Sequence, residues 1–301
     1  MLTHAVHTYL AVRRSVGFDL RWQGDALKSF AAFSEARGQH YVSAAVAIEW
    51  AGCARHVTQR ARRLGIVIRF ARYLYAEDRR HEVPPAIFGA EKSPRPTPYI
   101  LAAEHIRQLV DAASQSGSPT LRRATYSTFF ALLACTGLRV SEAIRLRFAD
   151  ITPDGLVIRE TKFRKTRLVP LHPTAQVGLN RYLQQRRPYA PADDHVFVSL
   201  HRKPLLGRDV ITAFRSAVKQ IGLPDTRGAR PTAKSLRHTF ATRALQTCPD
   251  GRDAVTRHMV ALSTYLGHKS VAETYWYLEA VPDLLRDIAD QAEGLARGAR
   301  P

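Results

Sequence analysis

Cys135-Thr136-Gly137-Leu138-Arg139-Val140-Ser141-Glu142-Ala143 joins two stretches of helical periodicity. The run Tyr126 to Ala134 before it is apolar enough for a buried helix. Gly137 can end that helix, and Arg139 then opens the next with Glu142 three residues on. A carboxylate at that spacing can hold a guanidinium in one orientation, although such a pair more often serves structure than chemistry. Toward the N-terminus, residues 1–78 read as helices. Val6, Leu10 and Val12 share one apolar face, and Leu27, Phe30, Ala31 and Phe33 share another behind Asp25 as a cap. Arg55 to Tyr75 repeats Val57, Leu64, Val67, Ile68, Ala71, Leu74 and Tyr75 at helical spacing, beside Arg60, Arg62, Arg63, Arg69 and Arg72. That arginine set reads equally as a solvated face or as one that tracks phosphates, with Arg60 and Arg63 as the candidate contacts. Pro84, Pro85, Pro94, Pro96 and Pro98 break the periodicity, because proline removes an N–H donor and biases the residue before it toward extended geometry. The expected division is therefore a helical domain at 1–78, a linker at 79–99 and a second domain at 100–301.

On the C-terminal side, Leu156-Val157-Ile158 and Leu168-Val169-Pro170-Leu171 predict two short strands around a basic turn. Helical patterns follow at about 174–187, 208–221, 234–247, 252–265, 271–278 and 282–296. The expected fold class is mainly α with a small β-sheet: a helical N-terminal domain and a mixed α/β second domain. Two further segments carry polar residues in suggestive places. In Lys234-Ser235-Leu236-Arg237-His238-Thr239-Phe240-Ala241-Thr242, Leu236 and Phe240 form a buried stripe while Lys234 and Arg237, three apart, share a neighbouring face. In Tyr265-Leu266-Gly267-His268, Gly267 closes a helix and leaves His268 just past its end, with Thr274-Tyr275-Trp276-Tyr277 following.

The chain of 301 residues has 45 Lys+Arg against 26 Asp+Glu, a net charge of +19. Both portions are basic: the first 99 residues hold 15 basic and 8 acidic side chains, so the surplus is not a tail. This is the electrostatic footprint of a nucleic-acid partner. With 45% hydrophobic and 24% charged residues, wholesale disorder is excluded. No apolar run approaches the roughly 20 residues that cross a bilayer. The three cysteines, Cys53, Cys135 and Cys248, lie far apart and give no disulfide framework. Together with the absence of a visible secretory signal, these features lead to the expectation of a soluble cytoplasmic protein. The chain carries no Gly-x-x-x-x-Gly-Lys-Ser/Thr loop and no paired metal-ligand spacing among Cys248, His238, His258 and His268, so no nucleotide cofactor and no metal are expected.

Taken together, Thr-Gly-Leu-Arg-x-Ser-Glu, Leu-Arg-His-x-Phe-Ala-Thr, Leu-Gly-His and a tyrosine nine residues later resemble the boxes of the tyrosine recombinases, or phage integrases, including the Xer type. Order and spacing agree over roughly 99–285, and the N-terminal part resembles the family's core-binding domain. The resemblance implies an enzyme that breaks and rejoins DNA through a 3′-phosphotyrosyl intermediate and a Holliday junction, without metal or ATP. A type IB topoisomerase would use the same nucleophile on one duplex. A catalytically silent DNA-binding relative is another alternative, and an RNA-binding protein would explain the charge but not the boxes.

Residue by residue, the resemblance assigns Arg139 and Arg237 as the two phosphate-clamping arginines, with Glu142 supporting the first. His268 is the third-box histidine and Tyr277 the nucleophile. Tyr275 is the internal competitor, but two residues on a helix turn a side chain by about 200°, so only one tyrosine can face a given phosphate. Lys162, just before the Arg167-Leu168-Val169-Pro170-Leu171 strand, matches the lysine of the family's hairpin and would protonate the leaving oxygen, with Lys165 as the fallback. Arg164, Lys165 and Arg167 are further candidates for DNA contact. Where the family usually carries a histidine, this chain has Lys234, which can donate a hydrogen bond to phosphate but is a poor proton acceptor near neutral pH. The implied partners are double-stranded DNA with a specific site and a homotetramer on two duplexes. The implied location is nucleoid-associated, and the role is integration, excision or transposition of a mobile element, or resolution. Val281 to Ala296 either closes its own domain or is a helix exchanged with a neighbouring subunit.

Overall fold

The computed structural model describes residues 1–89, 97–116, 120–159, 166–189, 194–225, 230–247 and 252–277. The chain divides into two units, Met1–Arg95 and Pro96–Pro301. In the first, α1 (Leu2–Ser15), α2 (Arg21–Glu35), α3 (Ala44–Gly52) and α4 (Val57–Glu77) pack through one stripe each. Leu2, Val6 and Leu10 meet Leu27 and Phe30, Ala47 and Trp50, and Leu64, Val67, Phe70 and Leu74. Several expectations for this unit need correction. Val12 and Val57 are exposed rather than part of the apolar faces. Asp25 lies inside α2, not at its cap, because Leu20 in the left-handed region (φ 47°) turns the chain five residues earlier. Helix α3 had no periodic signature in the sequence, since Ala-Ala-Val-Ala-Ile-Glu-Trp-Ala-Gly offers almost no polar face.

Part of the segment expected as a linker, 79–99, is held to the first unit. His81 Nδ1 accepts from the Val42 amide at 3.1 Å, the Glu82 amide donates to Val42 O at 2.8 Å, and Glu82 Oε2 accepts from the Ala44 amide at 2.6 Å. Val83 and Phe88 pack on the same core. Proline forbids a ladder position, not burial beside a helix bundle.

The second unit runs α5 (Ala103–Gln115), α6 (Thr120–Thr136), α7 (Val140–Arg145), β1 (Ile151–Thr152), β2 (Gly155–Ile158), β3 (Arg167–Val169), α8 (Pro173–Arg186), α9 (Gly207–Gln220), α10 (Ala233–Gln246), α11 (Arg252–Leu266) and α12 (Ala272–Tyr275). The sheet is antiparallel in the order β1-β2-β3, with Leu156 opposite Val169 and Val157 opposite Leu168. Strand alternation turns Leu156, Ile158 and Val169 inward onto a core that holds Phe129, Phe130, Phe197 and Phe214. A smaller cluster of Ala241, Leu245, Met259, Leu262, Leu266 and Tyr277 ties α10, α11 and the residues after α12 together. Among the described residues no helix is long and apolar enough to cross a membrane.

Candidate active site

Three arginines from three separate elements converge on the C-terminal end of α11. Arg167 Nε donates to Tyr265 O at 2.7 Å, Arg237 Nη2 to Leu266 O at 2.8 Å, and Arg139 Nη2 to Gly267 O at 3.0 Å. The last carbonyls of a helix have no intrahelical partner and carry partial negative charge, so successive ones form a natural receptor for cations. Gly267 makes the convergence possible. Its φ of +65° ends the helix, and a Cβ there would lie 2.8 Å from Arg167 Nη1.

Arg139 is placed by a second glycine turn. Gly137, at φ +61°, leaves α6 with the Phe240 ring standing 2.5 Å from where a Cβ would be. The chain then enters α7, where Glu142 Oε2 accepts from the Arg139 amide at 3.0 Å and Oε1 accepts from Arg139 Nη1 at 2.8 Å. Glu142 is buried, and Arg167 grips both of its oxygens, at 3.2 and 2.8 Å. Burial alone would raise the Glu142 pKa, but the hydrogen bonds and charges of Arg167 and Arg139 outweigh it and hold the group down at about 2.

Because that carboxyl is ionised more easily in the folded protein than at its ordinary value of 4.5, its stabilisation is complete above that pH. It is lost as pH falls from there toward 2. Glu142→Gln should therefore lower stability at neutral pH by about 3–5 kcal/mol, the usual result of breaking a buried ion pair. It should also flatten the dependence of urea unfolding on pH below 4.5. Equal acid slopes in both proteins would show that Glu142 does not carry the charge of the cluster.

Arg237 is the most enclosed of the three. Nη1 donates to Gly137 O at 2.7 Å, and Nη2 also reaches His268 Nε2 at 3.1 Å. Since a guanidinium only donates, that ring nitrogen accepts, and the imidazole proton sits on Nδ1, 2.8 Å from Thr274 Oγ1. Burial, then Arg237 and Arg139, push the His268 pKa down to about 4, so the ring is neutral near pH 7. Burial and Arg139 likewise lower Arg237 to about 10, which leaves it charged. The Tyr277 phenol is near enough to Arg237 to favour its charged form. The Tyr277 ring stacks on His268 at 6.0 Å and 14°, and is 4% exposed, whereas Tyr275 is 55% exposed. Tyr277, Arg237, His268 and Arg139 thus share one nook at the end of α11, and Tyr275 is outside it.

Of the remaining candidates, Lys234 is exposed one turn before Arg237 on α10. Lys162, Arg164 and Lys165 lie outside the described residues, as do Cys248 and Val281 to Ala296. Arg167, expected on the DNA face, is instead largely buried and engaged by Glu142 and Tyr265 O. Arg60 is half-buried and donates to Ala54 O at 2.7 Å, and the Arg63 guanidinium stands 5.2 Å from the Trp50 ring centroid. Sequence reasoning missed Thr274, which fixes the His268 tautomer, and the receiving role of the Tyr265, Leu266 and Gly267 carbonyls. Thr274, three residues before Tyr277, was readable as a polar group on the same segment, but backbone carbonyls carry no residue signal.

Residues 100–282 match the sequence model of the Phage integrase family. The chain is 36% identical over 303 residues to the putative integrase/recombinase y4rB of Sinorhizobium fredii, covering 96% of both chains. It is 29% identical over 257 residues to the tyrosine recombinase XerD of Rhizobium meliloti, covering 83% of this chain and 79% of that one. Among solved structures, XerH recombinase bound to a palindromic difH substrate in a post-cleavage complex superposes with a TM-score of 0.65 at 17% identity. That match covers 89% of this chain and 78% of the other.

Proposed function

The chain belongs to the phage integrase family, and from that membership we propose a site-specific tyrosine recombinase that cuts one DNA strand with Tyr277 and rejoins it to another. The observation that carries the assignment of roles is the stacking of the Tyr277 ring on His268, the ring that Arg237 holds, with Arg139 at the same helix end. Arg139, Arg167, Arg237 and Lys234 against Glu142 leave this corner of the protein strongly positive, which suits a phosphodiester. Planar guanidinium forks on the non-bridging oxygens would offset the charge that builds up as the phosphorus is attacked. Tyr277 Oη, having given its proton to water under the pull of the neighbouring arginines, would form the new bond to phosphorus as the bond from phosphorus to the 5′ oxygen breaks. That oxygen would leave as a hydroxyl with a proton that Lys162 would supply. The 3′-phosphotyrosyl ester keeps the energy of the broken diester, so a 5′ hydroxyl from a second strand can reverse the step without a nucleotide cofactor.

Arg167 acts at one remove in this scheme. It secures Glu142, which in turn orients Arg139. The palindromic DNA of the XerH complex supports a pair of chains per site. Two paired sites would bring four chains onto two duplexes through a Holliday junction, with 281–296 as the segment available for exchange between neighbours. A cytoplasmic, nucleoid-associated location and service to a mobile element complete the reading. The simultaneous presence of Arg139, Arg237, His268 and Tyr277 disfavours a silent relative.

The test starts from a library of nicked duplexes with randomised cores. The full chain should form protein–DNA adducts that survive denaturant, in excess chelator and without nucleotide, and sequencing the captured DNA should return one family of sites. Recovery of bound DNA that denaturant always releases would reduce the protein to a binder. Adducts with no preferred core would indicate nicking and closing without site specificity.

A further inference from the structure

Helix α12 is only four residues long, too short to be stable by itself, so side-chain contacts must fix the segment that carries Tyr277. One is the His268–Thr274 hydrogen bond. The larger is made by Trp276. Its indole is met edge-on by the His238 imidazole at 4.8 Å, and the Lys234 ammonium stands 5.8 Å from the ring centroid. Lys234 and His238 are one turn apart on α10 and face the same way. The same helix supplies Arg237 between them, and His238 reaches on to the Tyr277 ring at 5.5 Å. The Trp276 and Tyr277 rings are themselves 5.2 Å apart. Lys234, Arg237 and His238 therefore present an unbroken row to residues 276 and 277.

His238 is suited to a packing role. It is buried, its Nδ1 has no hydrogen-bond partner, and burial with the nearby Lys234 and Arg237 charges pushes its pKa down to about 3. The ring is neutral and offers an aromatic edge rather than a charge. Lys234 contributes through the other property of the indole, since a cation over the face of tryptophan is attracted by the ring quadrupole.

We propose that Trp276 is a positioning residue: gripped by Lys234 and His238, it seats the Tyr277 hydroxyl against Arg237 before DNA is cut. This rests on Tyr277 being the nucleophile, and it gives the lysine at position 234 a role in placing that nucleophile apart from any contact with phosphate.

The experiment is single-turnover adduct formation at saturating enzyme, using the full chain and the nicked duplex that the wild type selects from the randomised library. Gel-shift affinity is measured on the same DNA. Trp276→Ala should slow adduct formation about 100-fold, as expected for a misplaced reacting group, with affinity unchanged. Trp276→Phe should recover most of the rate, and His238→Phe should stay faster than His238→Ala. Trp276→Ala combined with His238→Ala should be no slower than Trp276→Ala alone, because both act through one contact. If Trp276→Ala does not fold, Trp276→Phe and His238→Ala carry the same comparison. A wild-type rate in Trp276→Ala, a loss of rate matched by loss of affinity, or additive losses in the double variant would overturn the proposal. A wild type that forms no adduct would instead overturn the recombinase reading itself.

Discussion

Tyr277→Phe should abolish covalent adduct formation and leave DNA binding at the wild-type level. The change removes one oxygen and keeps the ring that stacks on His268 and belongs to the α10–α11 cluster, so the fold has no reason to respond. The reaction loses its nucleophile outright. Loss of a nucleophile typically lowers the rate by on the order of 10⁶-fold, below detection in an adduct assay. Tyr275 cannot substitute, because it ends α12 and is solvent-exposed, whereas Tyr277 beyond the helix is buried against His268. Adduct formation that persists in Tyr277→Phe and disappears in Tyr275→Phe would shift the nucleophile by two residues.

Arg237→Lys should lower single-turnover cleavage about 10²–10³-fold, the usual effect of removing one donor from a site that binds developing negative charge. Lysine keeps the positive charge but not the fork. The native side chain uses that fork to hold Gly137 O, Leu266 O and His268 Nε2 at once. Arg237→Ala should be at least as slow, but it also strands two buried carbonyls and is expected to lose stability. Lysine is therefore the informative variant. Its thermal unfolding, its gel-shift affinity and its cleavage rate should be measured together. Near-native cleavage by Arg237→Lys would mean that charge alone suffices and that the bidentate geometry is irrelevant.

The residues of this cluster stood out in the sequence because their segments together resemble the family's boxes; by themselves the segments showed only local features. Gly137 and Gly267 mark helix ends, Arg139 and Glu142 share a helix turn, and Arg237 sits on a patterned helix. The receptor that unites them was not legible. The carbonyls of Tyr265, Leu266 and Gly267 are backbone groups, and only the folded chain shows that three arginines reach them. Arg167 illustrates the same limit: an arginine beside a basic turn reads as a DNA contact, yet its long-range partner Glu142 lies 25 positions away. In the fold, amphipathic helices such as α9 and α10 emerged at nearly their observed bounds, while α3 and the two-residue strand β1 lack the length or contrast that periodicity needs. The packing of Val83 and Phe88 on the first unit was not legible, because prolines mark irregular backbone but do not show whether that backbone packs.

The central claim is that the phenol of Tyr277 becomes the ester that holds the cut strand, and mass spectrometry of the trapped adduct tests it directly. Wild-type protein is reacted with its selected nicked duplex, denatured, digested with nuclease and protease, and the peptide bearing a nucleotide is fragmented. The expected spectrum places a 3′-linked nucleotide on Tyr277. A nucleotide on Tyr275 or Tyr265, attachment through a 5′ phosphate, or no modified peptide from a protein that has demonstrably cut its DNA would contradict it.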